Sequence, residues 1–490
     1  MDARPPPHAG TLHPLTLLRD EIIGFFEGLG YSAAEGPEVE SEWFNFDVLN
    51  MGAAHFARAA DHTYYVAYPR GQGPDSGKPA ERSGLVMRAH TSPVQARAML
   101  HETPPLYKIY IGRTFRPDPL DATHSPVFNQ LEGLAVDRGL TMDDLKRTLD
   151  RLAEAMFGPR IVTRLRPYQF AYAEPAAEID VQCKVCHGRS TDCRTCGGEG
   201  WLEWGGCGMV HQAVLANCGI DTSVYNAFSF GMGVERTLML REGLSDLRHI
   251  VDGDIRFALS GAGRPVPAVR ARGMHELGRA LVDLGYVETT SFPFTDPAMA
   301  DRLGLPHDDP RRRHLTLTDP LPGQGAALRT TLLPGLLETL RRNAERGVLE
   351  ASILEQGRVF LPPEGLRRAP HVPPGRRPTP QALQRIDASL GAQPWHLAAI
   401  STQPDRQNQL IEAAAVALQR LGRQVSLAAA RRAPWMDGHC VALSADGTPV
   451  GYAGRLIPEI LAAYGLPAAT CALEIDLDAL SILPSPQGQT

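Results

Sequence analysis

Phe228-Ser-Phe-Gly-Met-Gly-Val-Glu-Arg236 is the stretch on which the reading of this chain turns. A lone Gly-Met-Gly is explained by a turn. It becomes informative beside three earlier stretches that hold more polar and special residues than a core requires. These are Arg88-Ala-His-Thr-Ser-Pro-Val-Gln95, Gly112-Arg-Thr-Phe-Arg116 running through Asp121-Ala-Thr-His124 to Phe128-Asn-Gln-Leu-Glu132, and Arg166-Pro-Tyr-Gln-Phe-Ala-Tyr-Ala-Glu174.

Together the four stretches suit one chemistry, attack of a substrate carboxylate on the α-phosphate of ATP. The substrate supplies the nucleophile, so the protein needs guanidinium groups for the triphosphate, carboxylates for Mg2+ and a fixed geometry for in-line displacement. Arginines in separated motifs, nearby carboxylates and a glycine-rich approach supply those parts. No GxxxxGK[ST] loop and no GxGxxG after a strand is present, which removes P-loop and Rossmann readings.

Around this core the chain is organised in two halves. Its 490 residues are too many for one ordinary domain. Residues 1–11 are expected to be a disordered tail. Leu15, Leu18, Ile22, Phe25, Phe26 and Leu29 then recur at helical steps. Gly71–Gly84 reads as an inserted loop. Tyr107–Ile111, Leu131–Val136 and Ile161–Leu165 read as strands and Met142–Phe157 as a helix, an α+β pattern. A linker is expected at Ser260–Pro267, a new helix near Arg270–Leu284, an exposed loop over Pro362–Pro380 and a tail over 479–490.

Composition narrows the class further. Hydrophobic residues are 43% and charged residues 21% of the chain, and no apolar run reaches membrane-spanning length. The start, Met1-Asp-Ala-Arg-Pro, has no signal-type hydrophobic region, so a cytoplasmic location and no membrane partner are expected. A net charge of −6 argues against a broadly basic nucleic-acid wrapper, although not against a local phosphate-binding stripe. Cys183-x2-Cys186 and Cys193-x2-Cys196, followed by Gly197, Gly198 and Gly200, have the spacing of a closed four-thiolate Zn2+ site, structural and not catalytic. Free thiols in a polar hairpin are the alternative. Cys207, Cys218, Cys440 and Cys471 read as buried small hydrophobes.

Residues 12–258 resemble the α subunit of bacterial phenylalanyl-tRNA synthetase, a class II aminoacyl-tRNA synthetase. Gly36-Pro-Glu-Val-Glu40 with Asn45-Phe-Asp47 is similar to motif 1, Arg116 through Glu132 to motif 2, and Gly231-Met-Gly-Val-Glu-Arg236 to motif 3. The resemblance implies an antiparallel sheet flanked by helices over residues 12–260, using ATP and Mg2+. It places Arg116 on the ATP α-phosphate and substrate carboxylate, Arg236 on the far end of the triphosphate, and Asp118, His124 and Phe128 about the nucleotide. His90, Ser92, Gln95, Gln130 and Glu132 would grip the amino-acid head, and Phe170, Tyr172, Ser229 and Gly231 would line its pocket. Arg116, Arg236 and Glu132 would be the catalytic groups, Glu174 a Mg2+ ligand, and the cysteine hairpin a counterpart of one in many bacterial members. Two positions depart from the family pattern: Tyr172 replaces a Phe and Ser229 an Ala. The first adds a hydroxyl that needs a partner, and the second adds a polar group and reduces pocket volume.

Residues 262–478 resemble the synthetase-like core of the β subunit through Leu315-Thr-Leu-Thr-Asp-Pro-Leu321, Leu328-Arg-Thr-Thr-Leu-Leu-Pro-Gly-Leu336, Arg342-Asn343, Arg346-Gly347 and Glu355-Gln-Gly-Arg-Val-Phe360. A catalytically silent domain of the same general fold is implied over 261–478, since no second set of motif arginines occurs. The expected activity is ATP-dependent activation of phenylalanine, or a related amino acid, and transfer to tRNA. Counterparts of the family's N-terminal tRNA arm, editing modules and anticodon-binding domain are not expected from this sequence, so transfer to a carrier protein or small molecule stands as the alternative. A non-catalytic role is opposed by the presence of Arg116, Glu132, Glu174 and Arg236. Motif 1 usually builds an interface in the family, so the resemblance leaves two readings open: a homodimer, or a surface covered within the chain by the β-like half.

Overall fold

The computed structural model describes residues 10–68, 81–193, 195–260, 273–365, 368–373 and 375–480. They form two compact units whose sequences interleave. One spans Leu18–Arg248 and Pro363–Leu390; the other falls within Met1–Leu17, His249–Pro362 and Gly391–Thr490. The compact units therefore do not follow a single boundary at 260. Thr11 makes a parallel bridge with Val287. Asn343 accepts from the Ile255 amide at 3.2 Å and donates to the Gly253 carbonyl at 2.9 Å, fastening 249–260 into the second unit.

The first unit contains β1 (Ser32–Ala33), β2 (Val39–Ser41), β3 (Tyr65–Tyr68), β4 (Glu81–Met87), β5 (Leu106–Phe115), β6 (Val127–Asp137), β7 (Thr163–Phe170), β8 (Ala173–Gln182), β9 (Trp201–Val210) and β10 (Asn226–Gly233). Seven strands form one sheet in the order β1-β5-β6-β10-β9-β8-β7. Only the β1–β5 pairing is parallel. A smaller sheet runs β2-β4-β3.

Helix Met142–Phe157 shows why the sequence shapes the sheet's surroundings as it does. Thr141 and Asp144 close a reciprocal capping box, and Leu145, Leu149, Leu152 and Met156 form one buried stripe. The helix ends at Gly158, whose φ of +98° is open to glycine and costly to other residues. Tyr110, Leu134, Val136, Val94, Val210 and Ala227 belong to a single core cluster that supports the site.

The second unit contains β11 (Val287–Glu288), β12 (Phe294–Thr295), β13 (Ala327–Leu328), β14 (Ser352–Arg358), β15 (Trp395–Ser401), β16 (Val425–Ala430), β17 (Trp435–Ala445), β18 (Thr448–Leu456) and β19 (Cys471–Asp476). Its large sheet runs β11-β14-β15-β19-β18-β17-β16, again with one parallel pairing, at β11–β14. The two sheets share strand order and sense, so the expected α+β architecture is present in both.

Several boundaries differ from the sequence reading. Residues 1–9, 71–80, 261–267 and 481–490 of the expected tails, loop and linker lie outside the described residues. Thr11 and Leu480 are buried, not parts of free tails, and Glu81–Gly84 belong to β4. The stretch 362–380 is not simply an exposed loop, because Val372 is buried in the first unit's core. Among the described residues no helix is long and apolar enough to cross a membrane.

Candidate active site

Strand register lines up the central residues. Tyr110, Glu132 and Gly231 are paired across β5, β6 and β10, and Gly231 is paired in turn with Gly206 on β9. A Cβ on Gly231 would stand 2.9 Å from Gln130 Nε2 and 3.1 Å from Glu132 Cγ; one on Gly206 would stand 2.9 Å from the Phe170 ring. The two glycines therefore make a floor low enough for those side chains to lie across it.

Helix Ser92–His101 supplies one wall. Ser92 Oγ donates to Glu132 Oε1 at 2.8 Å, and the Thr91 amide donates to Gln130 Oε1 at 3.3 Å. Glu132 is 5% exposed, and burial raises its carboxyl to about 7 against partial relief from Ser92. His90 is pushed the other way, to about 3, by burial and then by the charge of Arg116, so the ring stays neutral. Buried polar atoms without a protein partner include Gln95 Oε1, Asn45 Nδ2 and the Tyr110 hydroxyl, while the buried His90 ring faces the Asn45 backbone. Such atoms cost free energy unless a ligand or water satisfies them.

The opposite wall is aromatic. The Phe170 and Tyr172 rings stack with centroids 5.2 Å apart and planes 16° apart. Burial, and then the Glu132 charge, pushes the Tyr172 phenol above its ordinary range. Ser229, two residues before Gly231 on the same face, is 9% exposed.

Arg116 follows the end of β5 and is exposed. Its Nε donates to the Ala89 carbonyl at 3.0 Å and its guanidinium lies 5.1 Å from the Phe128 ring centre. Arg88 braces this strand end from behind. It donates to the carbonyls of Arg113, Gly36 and Pro37. A Cβ on Gly112 would lie 2.2 Å from Arg88 Nη2, so only glycine permits that approach.

The structure gathers Ser92, Gln130, Glu132, Gly231, Phe170 and Tyr172, with Arg116 in electrostatic reach first of Asp118 and then of Tyr172 and Glu132. The other expected residues are less tightly drawn in. His124 is exposed and turns onto Asp121, which caps the amides of Thr123 and His124. Asp118, by contrast, stays beside Arg116: its amide donates to the Arg116 carbonyl at 2.7 Å and its charge is the first to act on that guanidinium. Arg236, on helix Val234–Glu242, pairs with Glu203 at 3.4 Å, and the exposed Glu174 pairs with His211 at 3.6 Å.

One contact was not anticipated. Glu235, 2% exposed, accepts from the Asn129 amide at 2.9 and 2.8 Å and from Asn129 Nδ2 at 2.8 Å. This clamp ties β6 to the helix that carries Arg236. Both residues lie inside stretches singled out in the sequence, but no spacing rule pairs positions so far apart in the chain.

The cysteine hairpin fits a metal. Its four sulfur atoms lie within 4.8 Å of one another, with Cys183–Cys193 at 3.8 Å and Cys186–Cys196 at 3.5 Å. Thiolates about 2.3 Å from a tetrahedral ion stand about 3.8 Å apart. The Cys196 amide draws the Cys193 thiol down, while burial pushes the Cys183 thiol up. Gly198 has φ +87°, and a Cβ there would meet the Thr191 carbonyl at 2.2 Å.

The second unit repeats the frame without the site. Arg329 Nε donates to the Arg358 carbonyl, and a Cβ on Gly357 would lie 2.2 Å from Arg329 Nη2, matching the Arg88–Gly112 approach. With that match fixing register, Ala398 takes the place of Glu132, and Glu474 and Tyr452 replace the floor glycines. Glu474 fills the floor and is held by Thr331, the Leu332 amide and His396. Leu361 stands four residues past Gly357, as Arg116 stands past Gly112.

Comparison with known proteins agrees with this division. Residues 3–260 match the family model described as tRNA synthetases class II core domain (F). Residues 262–477 match that of the phenylalanyl tRNA synthetase beta chain CLM domain. The phenylalanine–tRNA ligase alpha subunit of Streptomyces avermitilis is 52% identical over 254 residues, covering 51% of this chain and 69% of that protein. The Streptomyces coelicolor alpha subunit gives the same identity and coverage. The solved structure of pyrrolysyl-tRNA synthetase from Desulfitobacterium hafniense aligns over 49% of this chain and 73% of its own, at 16% identity and a TM-score of 0.35.

Proposed function

The chain belongs to the class II tRNA synthetase core family (F), and from that membership we propose that it activates phenylalanine with ATP and transfers it to tRNA. The observation that carries this is the wall-and-floor pocket. Unpartnered buried polar groups line one side, a stacked aromatic pair lines the other, and an exposed arginine stands at its mouth.

In this reading Glu132, Ser92, Gln130, Gln95 and His90 hold the amino and carboxylate groups, and Phe170 and Tyr172 flank the ring over Gly231 and Ser229. The substrate carboxylate oxygen attacks the α-phosphorus, the bond to the β-phosphate breaks, and pyrophosphate leaves. Arg116 balances the charge at the α-phosphate, its Nε–Ala89 bond fixing the guanidinium in place. Phe128 beneath Arg116, with Asp118 and His124 on the loop, encloses the nucleotide, and Arg236 takes the far phosphates by leaving Glu203. Glu174 presents a hard, exposed oxygen donor suited to Mg2+, which supplies charge neutralisation on the phosphates when bound. The tRNA terminal ribose hydroxyl then attacks the carbonyl carbon, and AMP leaves.

The cysteine hairpin is assigned a structural Zn2+, all four positions being filled by thiolates. The second unit is assigned no chemistry, since Glu474 and Tyr452 occupy its floor. A cytoplasmic location belongs to the same reading.

The test is amino-acid-dependent ATP–pyrophosphate exchange across the amino acids, followed by charging of total tRNA. Exchange with phenylalanine and charging is the expected result. No exchange with any amino acid overturns the activation step, and exchange without charging moves the acceptor to a carrier protein or small molecule. Arg116→Ala should lower exchange at least about 100-fold with unchanged circular dichroism.

A further inference from the structure

Helix Ser92–His101 is held from a part of the chain far away in sequence. Arg97, one turn beyond Ser92, donates to both oxygens of Glu40, at 2.7 and 2.9 Å, and to Asp387 Oδ1 at 2.9 Å. Its guanidinium also lies 4.1 Å from the Phe44 ring centre. Glu40 is fully buried and Asp387 half-buried, so one cation bridges two carboxylates in a largely dry setting.

Asp387 sits on helix Pro380–Ser389, within the 363–390 segment that is part of the first unit. This segment is seated by more than one contact. The Ala369 amide donates to the Ser83 carbonyl at 2.9 Å. Val372 and Ile386 join the core cluster that contains Val94, Tyr110 and Leu134. Arg377 crosses Gly219, where a Cβ would stand 2.1 Å from its Nη1.

We infer that residues 363–390 clamp the amino-acid site, with Asp387 a positioning residue that acts through Arg97 on helix Ser92–His101. Its effect on catalysis rests on the activation reading above; its effect on the helix does not. The first turn of that helix carries Ser92 and Gln95, and Ser92 reaches Glu132. Removing the Asp387 carboxylate leaves Arg97 bound to Glu40, so the fold is kept while the helix loses its second anchor. A small drift of that turn spoils contacts that depend on sub-ångström placement.

The experiment compares the full chain with Asp387→Asn and Asp387→Glu by amide hydrogen exchange over 92–101 and by steady-state pyrophosphate exchange. Asp387→Asn should speed amide exchange in that helix about ten-fold, with the rest of the unit unchanged. It should raise the KM for the amino acid about ten-fold and leave kcat within about two-fold, and Asp387→Glu should restore both. Unchanged helix protection in Asp387→Asn overturns the clamp, whatever the kinetics. Altered protection with an unchanged KM overturns its link to the site. If the unaltered chain activates no amino acid, the functional reading fails by itself and hydrogen exchange alone decides whether the clamp exists.

Discussion

Ser92 Oγ lies 2.8 Å from Glu132 Oε1, joining the first turn of a helix to β6, an inner strand of the sheet. This is the contact through which helix placement sets the direction of the one buried carboxylate in the pocket. Burial holds the Glu132 carboxyl at about 7 despite the opposing pull of Ser92, so its charge changes in the neutral range.

Glu132 must be ionised to attract an ammonium group. The KM for the amino acid should therefore fall as pH rises from about 6 to 8, and the dependence should flatten in Glu132→Gln. Steady-state pyrophosphate exchange across that range checks it; an equally steep profile in the variant rules Glu132 out as the titrating group.

Glu235 should reveal itself in stability. Burial raises its carboxyl from 4.5 to about 7 in the folded chain, so folding favours the protonated form. Its stabilising contribution is present below pH 4.5 and is lost as pH rises to about 7. Relative to wild type, Glu235→Gln should gain roughly 1–3 kcal/mol between those limits, measured by urea unfolding at a series of pH values. His13 and His90, lowered to about 4 and about 3, change with pH in the opposite sense, so only the difference between the two proteins isolates Glu235.

Gly112→Ala should destabilise the first unit by about 1–3 kcal/mol, since its Cβ would overlap the buried Arg88 guanidinium. Gly357→Ala should do the same to the second unit through Arg329. Urea midpoints for the two variants check both; an unshifted midpoint would show that the arginine yields at no cost.

Cys193→Ser should abolish stoichiometric zinc measured by elemental analysis and loosen residues 183–200 while the seven-stranded sheet persists. Zinc-free wild-type protein with normal stability would sink the metal assignment.

Much of the fold and site was legible in the sequence because its signals are local. Met142–Phe157 carries its own cap and apolar stripe, and the CxxC pairs carry their own turns. Strand segments such as Leu131–Val136 fall inside β6. The interleaving of the units was not legible: Thr11, the Asn343 bonds and the buried Val372 depend on partners distant in the chain. A Pro- and Arg-rich stretch looks exposed by composition, yet Val372 joins the core and the Ala369 amide pairs with the Ser83 carbonyl.

The sequence by itself determined the chemistry available: which arginines, carboxylates, aromatics and thiols are present, and in what motif order. Only the tertiary structure decided which of them share an environment. Register placed Glu132 over Gly231, and desolvation then set its charge state. The same frame in the second unit carries Glu474 where a glycine would leave room. Distance and burial, not residue type, decide a group's protonation and its access to a ligand, and both arise only when strands far apart in the chain are paired.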